Sequence, residues 1–322
     1  MAIRIAINGF GRIGRSVLRA LYESQRQGSI QIVAINDVAA IEASVAQLKD
    51  DDLDASLNVS FSEQTLTVAG DDIEYLSQVN PVKLPWKALD IDVVLECSGQ
   101  FTQAEPAHMH ILAGAKKVLI SALSDEKVDA TVVFGLNESD LKPEHKIVSN
   151  GSCTLNCLAH VAKILDDTVG IESGLSTTLH AYDSENKDAS KSNALTPIKT
   201  RSPGSIGLVL PNLNGKLDGV SVRIPTLNVA LLDLTIRTKK ETSVNEINTL
   251  MTTAMKNSGS LFECNDKPVT SAAFHHHAAS CIFDTTQTKV AQGRLVKVGM
   301  WFDNEWAFSN RMLDTAEAMM AC

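Results

Sequence analysis

Ile3-Arg-Ile-Ala-Ile-Asn-Gly-Phe-Gly-Arg-Ile-Gly-Arg15 is a short apolar strand that runs directly into a glycine-rich turn. The residues that follow, Ser16-Val-Leu-Arg-Ala-Leu-Tyr22, carry a helical pattern, and Ile30-Gln-Ile-Val-Ala-Ile35 is a second strand. Gly9, Gly11 and Gly14 thus hold the spacing G-x-G-x-x-G between a strand and a helix, the context in which that spacing binds a dinucleotide. Gly9 permits the tight turn, Gly11 lets a pyrophosphate approach the backbone, and Gly14 lets the helix pack closely on the strand. Phe10, Arg12 and Ile13 complete the loop, and the helix N-terminus is then aimed at the phosphates. Asp37, just beyond the second strand, can accept hydrogen bonds from ribose hydroxyls, whereas a 2′-phosphate there would meet like charge. The expected cofactor is NAD rather than NADP.

The alternation continues downstream. Ile91-Asp-Val-Val-Leu-Glu-Cys97, Lys117-Val-Leu-Ile-Ser121 and Ala130-Thr-Val-Val-Phe134 are short apolar runs, and a helical stretch from Pro106 to Ala115 separates the first two. After Cys153 the texture changes. Leu175-Ser-Thr-Thr-Leu-His180, Val220-Ser-Val-Arg-Ile224, Val229-Ala-Leu-Leu-Asp-Leu-Thr-Ile236 and Cys281-Ile-Phe-Asp284 are β-branched or alternating, with helical stretches at Thr154 to Leu165 and Ser243 to Lys256. The fold class expected is α/β: a Rossmann-type doubly wound domain followed by an α+β catalytic domain with a mixed or antiparallel sheet. The boundaries expected are an NAD-binding domain over 1–151, a catalytic domain over 152–303, and a C-terminal helix over 304–322 that packs back on the first domain. An active site then falls in the crevice between domains.

Composition narrows the function. With 38 acidic against 29 basic side chains the formal charge is −9, which speaks against a nucleic-acid or anionic-membrane surface. No apolar run approaches a membrane span, and Met1-Ala-Ile-Arg4 enters a strand without the pattern of a signal peptide, so a cytoplasmic protein is expected. The six cysteines, 97, 153, 157, 264, 281 and 322, lack paired C-x-x-C spacing and read as reduced thiols. His275-His-His277, read as part of a strand, points to alternate faces and completes no metal site; no metal is expected.

Within Val148-Ser-Asn-Gly-Ser-Cys-Thr-Leu-Asn-Cys157, Cys153 sits where a strand meets a helix. Unpaired N–H groups and the dipole at a helix N-terminus favour a thiolate, so Cys153 is the expected nucleophile. Cys157, one turn later, reads as a packing residue. A cysteine nucleophile needs a base, and His180, at the end of the strand returning from that helix, is the expected partner; His110, His145 and His160 have unremarkable settings.

Gly9-Phe-Gly-Arg-Ile-Gly14, Ser149-Asn-Gly-Ser-Cys-Thr-Leu-Asn156, Thr177-Thr-Leu-His180, Leu217-Asp-Gly-Val-Ser-Val-Arg-Ile-Pro-Thr226 and Asp303-Asn-Glu-Trp306 resemble the successive signatures of glyceraldehyde-3-phosphate dehydrogenases. Several other segments look more like the erythrose-4-phosphate dehydrogenase branch: Asp129-Ala-Thr-Val-Val-Phe-Gly-Leu-Asn137, Gly170-Ile-Glu-Ser-Gly174, Asp284-Thr-Thr-Gln-Thr-Lys-Val290 and Asn310-Arg-Met-Leu-Asp-Thr315. The resemblance implies NAD-dependent oxidation of a small phosphorylated aldose through a thioester on Cys153, with His180 as the base, in a homotetramer. It further implies that Ser98, Gly99 and Ser121 line the cofactor cleft and that Asn304 holds the nicotinamide amide. Arg223 would contact the substrate phosphate, where Arg201 would restore positive charge, while Ser152, Thr154 and Thr200 would surround a second anion site. The best match is D-erythrose 4-phosphate going to 4-phosphoerythronate; the alternatives are phosphorylating glyceraldehyde-3-phosphate dehydrogenase and a cofactor-binding paralogue with a scaffolding or regulatory role. The connection from His180 to Pro197 is shorter than the family pattern and carries Asp183 and Glu185, carboxylates that would repel a phosphate dianion unless they point away.

Overall fold

A computed structural model describes residues 2–51, 57–124, 127–182, 194–226 and 228–322. The chain divides into two compact units: residues 1–132, 138–151 and 309–322 form one, and residues 133–137 and 152–308 the other.

The first unit is built on a nine-stranded sheet. Its strands are β1 (Ile3–Asn8), β2 (Ile30–Asn36), β3 (Val59–Ser62), β4 (Thr65–Val68), β5 (Asp71–Leu76), β6 (Val93–Glu96), β7 (Lys117–Ile120), β8 (Ala130–Thr131) and β9 (Ile147–Ser149). They lie in the order β3-β4-β5-β2-β1-β6-β7-β9-β8. From β5 to β8 every neighbouring pair is parallel, and β3 and β4 add an antiparallel edge. β1, β6 and β7 are buried along most of their length, which is why their sequences are continuous apolar runs rather than alternating ones. Of the run at Ala130–Phe134 only Ala130–Thr131 forms a strand, with the Val132 N–H still donating to the Ser149 carbonyl at 2.8 Å, and Val133 belongs to the second unit.

Helices α1 (Arg12–Glu23), α2 (Ile41–Asp50) and α3 (Ala104–Leu112) belong to this unit. The chain leaves β1 towards β2 on one side and later returns to place β6 on the other. The β1/β6 boundary is therefore the topological switch point, beside which open α/β sheets bind ligands at the carboxyl ends of the strands.

The second unit holds a seven-stranded mixed sheet in the order β11-β12-β10-β13-β16-β15-β14. These strands are β10 (Ile171–Ala181), β11 (Thr196–Ile198), β12 (Leu217–Ile224), β13 (Ala230–Thr238), β14 (Phe262–Asn265), β15 (Cys281–Ala291) and β16 (Leu295–Phe302). Helices α4 (Cys153–Thr168) and α5 (Val244–Met255) belong here as well. The last helix, α6 (Trp306–Ala321), starts in this unit and continues in the first from Ser309.

The second unit thus reaches Phe308, beyond the expected change at 303. The reason is Asp303, which accepts from the Glu305 and Trp306 N–H groups at the head of α6 and from Asn228 and the His276 N–H of the same unit. In the first unit α6 is anchored by Thr315 Oγ1 donating to Asn150 Oδ1 (2.7 Å) and by Arg26 pairing with Asp314 and Glu317. His275–His277 follow a short 3-10 turn instead of lying in a strand; the His276 ring stacks on Trp306, and His277 faces Glu263.

Candidate active site

Cys153 opens α4 because Ser152 caps it: the Ser152 backbone is extended, and its Oγ accepts from the Leu155 N–H at 3.0 Å. β10 carries His180 near its end, and its parallel partner β12 places Arg223 directly opposite. Cys153 Sγ lies 3.7 Å from His180 Nε2. The other ring nitrogen, Nδ1, contacts Arg223 Nη1 and lies 3.0 Å from the Ala181 carbonyl, to which Arg223 Nη1 also donates at 2.7 Å. Arginine can only donate, so its contact favours a bare Nδ1, whereas the carbonyl favours a protonated one. Two competing groups therefore bear on the protonation of a single imidazole.

Burial pushes the Cys153 thiol up to about 11; the Thr154 hydroxyl, the Thr154 N–H and the Arg223 charge pull the other way without overcoming it. Burial of the sulfur thus opposes the thiolate that the head of α4 favours. Cys157 is buried, next to the equally buried Cys281.

A hydroxyl cluster adjoins the nucleophile. Ser152 Oγ lies 2.8 Å from Ser202 Oγ, and Thr200 Oγ1 accepts from the Ser202 N–H at 3.3 Å. Thr154 is buried and Arg201 is exposed. Ser202 escaped the sequence reading, since a serine in a loop carries no pattern until the loop is folded. Asp183 and Glu185 lie outside the described residues. Among the described residues, no group of three or more His, Cys, Asp or Glu side chains is placed to hold a metal ion.

In the first unit, Gly9 has φ +92°, and a Cβ there would sit 2.4 Å from the Ser98 backbone. At Gly14 a Cβ would come within 2.2 Å of the Gly9 carbonyl. Only glycine fits at either position. Gly11, extended at φ −69° and ψ −163°, is the N-cap of α1 and has no side chain to cap it, so the helix N-terminus opens at the glycine loop. Asp37 accepts from the Phe10 N–H (2.5 Å) and the Ala39 N–H (2.8 Å), so its carboxylate is held at the glycine loop. Arg15 Nη1, missed from the sequence, donates to the Phe10 carbonyl at 3.1 Å. Arg12 and Ile13 open α1; Ser98 and Gly99 (φ +71°) follow β6, and Ser121 follows β7 with its N–H on the Glu96 carbonyl at 3.0 Å. In the second unit, Asn304 is buried, and among the described residues its Oδ1 has no hydrogen-bond partner; it is an acceptor of the kind a carboxamide N–H satisfies. The residues of the first unit fit the dinucleotide that the glycine spacing calls for.

Comparison with known proteins agrees with the geometry. Residues 3–104 match the model of the NAD binding domain of glyceraldehyde 3-phosphate dehydrogenase, and residues 152–304 match that of its C-terminal domain. The chain is 47% identical to a glyceraldehyde-3-phosphate dehydrogenase of Pseudomonas aeruginosa over 334 residues, covering 100% of this chain and 99% of that one. It is 45% identical to the chromosomal glyceraldehyde-3-phosphate dehydrogenase of Cupriavidus necator and 45% identical to that of Xanthobacter flavus, each over 333 residues and 99% of both chains. With both halves matched in order and NAD as its cofactor, this chain belongs to the glyceraldehyde-3-phosphate dehydrogenase family of NAD-dependent oxidoreductases that act on an aldehyde group.

Proposed function

We propose that the enzyme oxidises D-erythrose 4-phosphate to 4-phosphoerythronate through a thioester on Cys153. The observation that carries the chemistry is the Cys153–His180 pair with Arg223 against the same ring. The Cys153 proton moves to His180 Nε2 as the sulfur attacks the aldehyde carbon, forming a C–S bond and a hemithioacetal. His180, having returned its proton to the new alkoxide, removes it again as the carbon–hydrogen bond breaks and the thioester forms. NAD, when bound, accepts that hydride. Water then cleaves the C–S bond, giving the free acid and restoring the thiol. The Cys153 N–H at the head of α4 is available to the oxyanion in each addition.

Arg223 supplies a donor for the substrate phosphate. A phosphate that draws the guanidinium aside frees Nδ1 to carry a proton towards the Ala181 carbonyl, so substrate engagement and base function meet in one residue. Arg201 restores positive charge for the substrate phosphate, and Ser152, Thr154 and Thr200 form the second anion site.

The segments at 129–137, 170–174, 284–290 and 310–315 favour the four-carbon aldose and hydrolysis. The names of the relatives favour a second reading, glyceraldehyde 3-phosphate with inorganic phosphate cleaving the thioester to an acyl phosphate. NADH formation from both aldehydes, with and without phosphate, separates them: turnover of erythrose 4-phosphate without phosphate supports the first reading, and a strict phosphate requirement overturns it.

Family resemblance also leads us to a homotetramer in the cytoplasm. In its support, Leu175, Val220 and Leu295 are exposed on the second sheet, an apolar set that a second copy of the chain would cover. Among the described residues, no helix is long and apolar enough to cross a membrane.

A further inference from the structure

Glu96 ends β6 with its side chain fully inside the first unit, 1% exposed, and no arginine or lysine pairs with it among the described residues. Four donors converge on its carboxylate instead. Oε1 accepts from the Ser98 N–H (2.8 Å) and the Ser98 hydroxyl (2.5 Å); Oε2 accepts from Asn8 Nδ2 (2.6 Å) and faces His110 Nε2 (3.0 Å).

The polarity of the network is dictated at both ends by groups that can only donate. Trp86 Nε1–H donates to His110 Nδ1 at 3.0 Å, so Nδ1 is bare and the ring proton sits on Nε2, aimed at Glu96. At the other end the Gln78 N–H donates to Asn36 Oδ1 at 2.8 Å, which orients that amide so that its Nδ2 donates to Asn8 Oδ1 at 2.7 Å. Asn8 must then present its own Nδ2 to Glu96. The donor-only groups of the chain thus all point towards one carboxylate, which accepts on both oxygens.

The residues so joined are those that precede the cofactor loops. Asn8 leads into Gly9, Asn36 into Asp37, and Glu96 and Ser98 bracket the turn that reaches Gly99, at the carboxyl ends of β1, β2 and β6. We propose that Glu96 is the positioning residue of the dinucleotide cradle: its buried negative charge holds the three loops in register, with His110 and Trp86 keeping the donor pattern from reversing. A sequence reading passes over it because a lone glutamate in an apolar strand looks like an edge residue and His110 like ordinary helix packing. It deepens the NAD assignment without depending on the aldehyde. The role is one of positioning, since Glu96 acts through Ser98 and Asn8.

The test is NAD binding by calorimetry on Glu96→Gln and Asn8→Asp, alongside acylation of Cys153 by p-nitrophenyl acetate, which needs no cofactor. Gln at 96 places an amide donor against existing donors; Asp at 8 sets a second carboxylate against Glu96. Both variants are expected to raise the Kd for NAD at least about tenfold at neutral pH, with acylation within about twofold of wild type. In Asn8→Asp the loss should shrink as pH is lowered, because protonating one carboxyl of the pair restores the missing donor; the groups facing that pair are His110 and Cys97. Wild-type affinity serves as the reference at each pH. If Glu96→Gln does not fold, Asn8→Asp and its pH response decide alone. NAD binding by either folded variant within about threefold of wild type overturns the proposal, as does an Asn8→Asp defect that lower pH leaves unrelieved, while a wild-type protein that fails to bind NAD would indict the cofactor assignment instead.

Discussion

Cys153 Sγ lies 3.7 Å from His180 Nε2, so the thiol that burial pushes up stands beside an imidazole nitrogen. A thiol pushed up to about 11 is almost wholly protonated near neutrality, so its reactivity there depends on the neighbouring ring. In His180→Ala, alkylation by iodoacetamide at pH 7 should fall at least about tenfold and recover only as pH rises towards about 11, the sign expected of an acid whose neutral form burial favours. Steady-state NADH formation should fall by about 10²–10⁴, the usual worth of a general base. A pH profile of alkylation unchanged from wild type would mean that the imidazole does not take the proton.

Arg223 is expected to discriminate on phosphate. Arg223→Gln should raise KM for the phosphorylated aldehyde by about 10–100-fold, in line with the loss of a charge-assisted hydrogen bond of about 1.5–3 kcal/mol. Oxidation of the corresponding unphosphorylated aldose should change far less. Equal losses for both substrates would assign Arg223 to the imidazole alone.

Asp37 is expected to set cofactor choice. Its carboxylate stands against the Phe10 and Ala39 N–H groups, where a 2′-phosphate would meet it. Asp37→Ser should weaken NAD binding about tenfold and bring NADP turnover within reach, measured as the ratio of kcat/KM for the two cofactors. Wild-type enzyme using both equally well would contradict this placement.

Much of this architecture was legible in the chain. The glycine spacing at 9–14 has one steric solution between a strand and a helix, and the short apolar runs at β1, β6 and β7 announced a sheet buried on both faces. Cys153 and His180 could be paired because strand and helix boundaries around them are sharp. Long-range polarity was hidden: the carboxylate of Glu96 and the ring of His110 acquire meaning only through Trp86 and the distant Asn8. So was the burial at Cys153, which only the packed core imposes and which pushes the thiol up. Ser202 reached Ser152 through a loop without periodicity.

The second sheet should be an assembly surface. Leu175 is 67% exposed and Val220 53% exposed on adjacent strands, and an aspartate at Leu175 would place a charge in an apolar contact between copies. Leu175→Asp is expected to shift the particle to a smaller species in sedimentation or mass photometry. A monomeric wild type would remove the basis for this expectation.

The most direct measurement is rapid-quench mass spectrometry of enzyme mixed with erythrose 4-phosphate and NAD, followed by peptide mapping. The account predicts one acyl group per chain on the Cys153 peptide, formed in step with a burst of NADH and absent in Cys153→Ser. NADH formation that persists in Cys153→Ser, or an acyl group on any other residue, would contradict it.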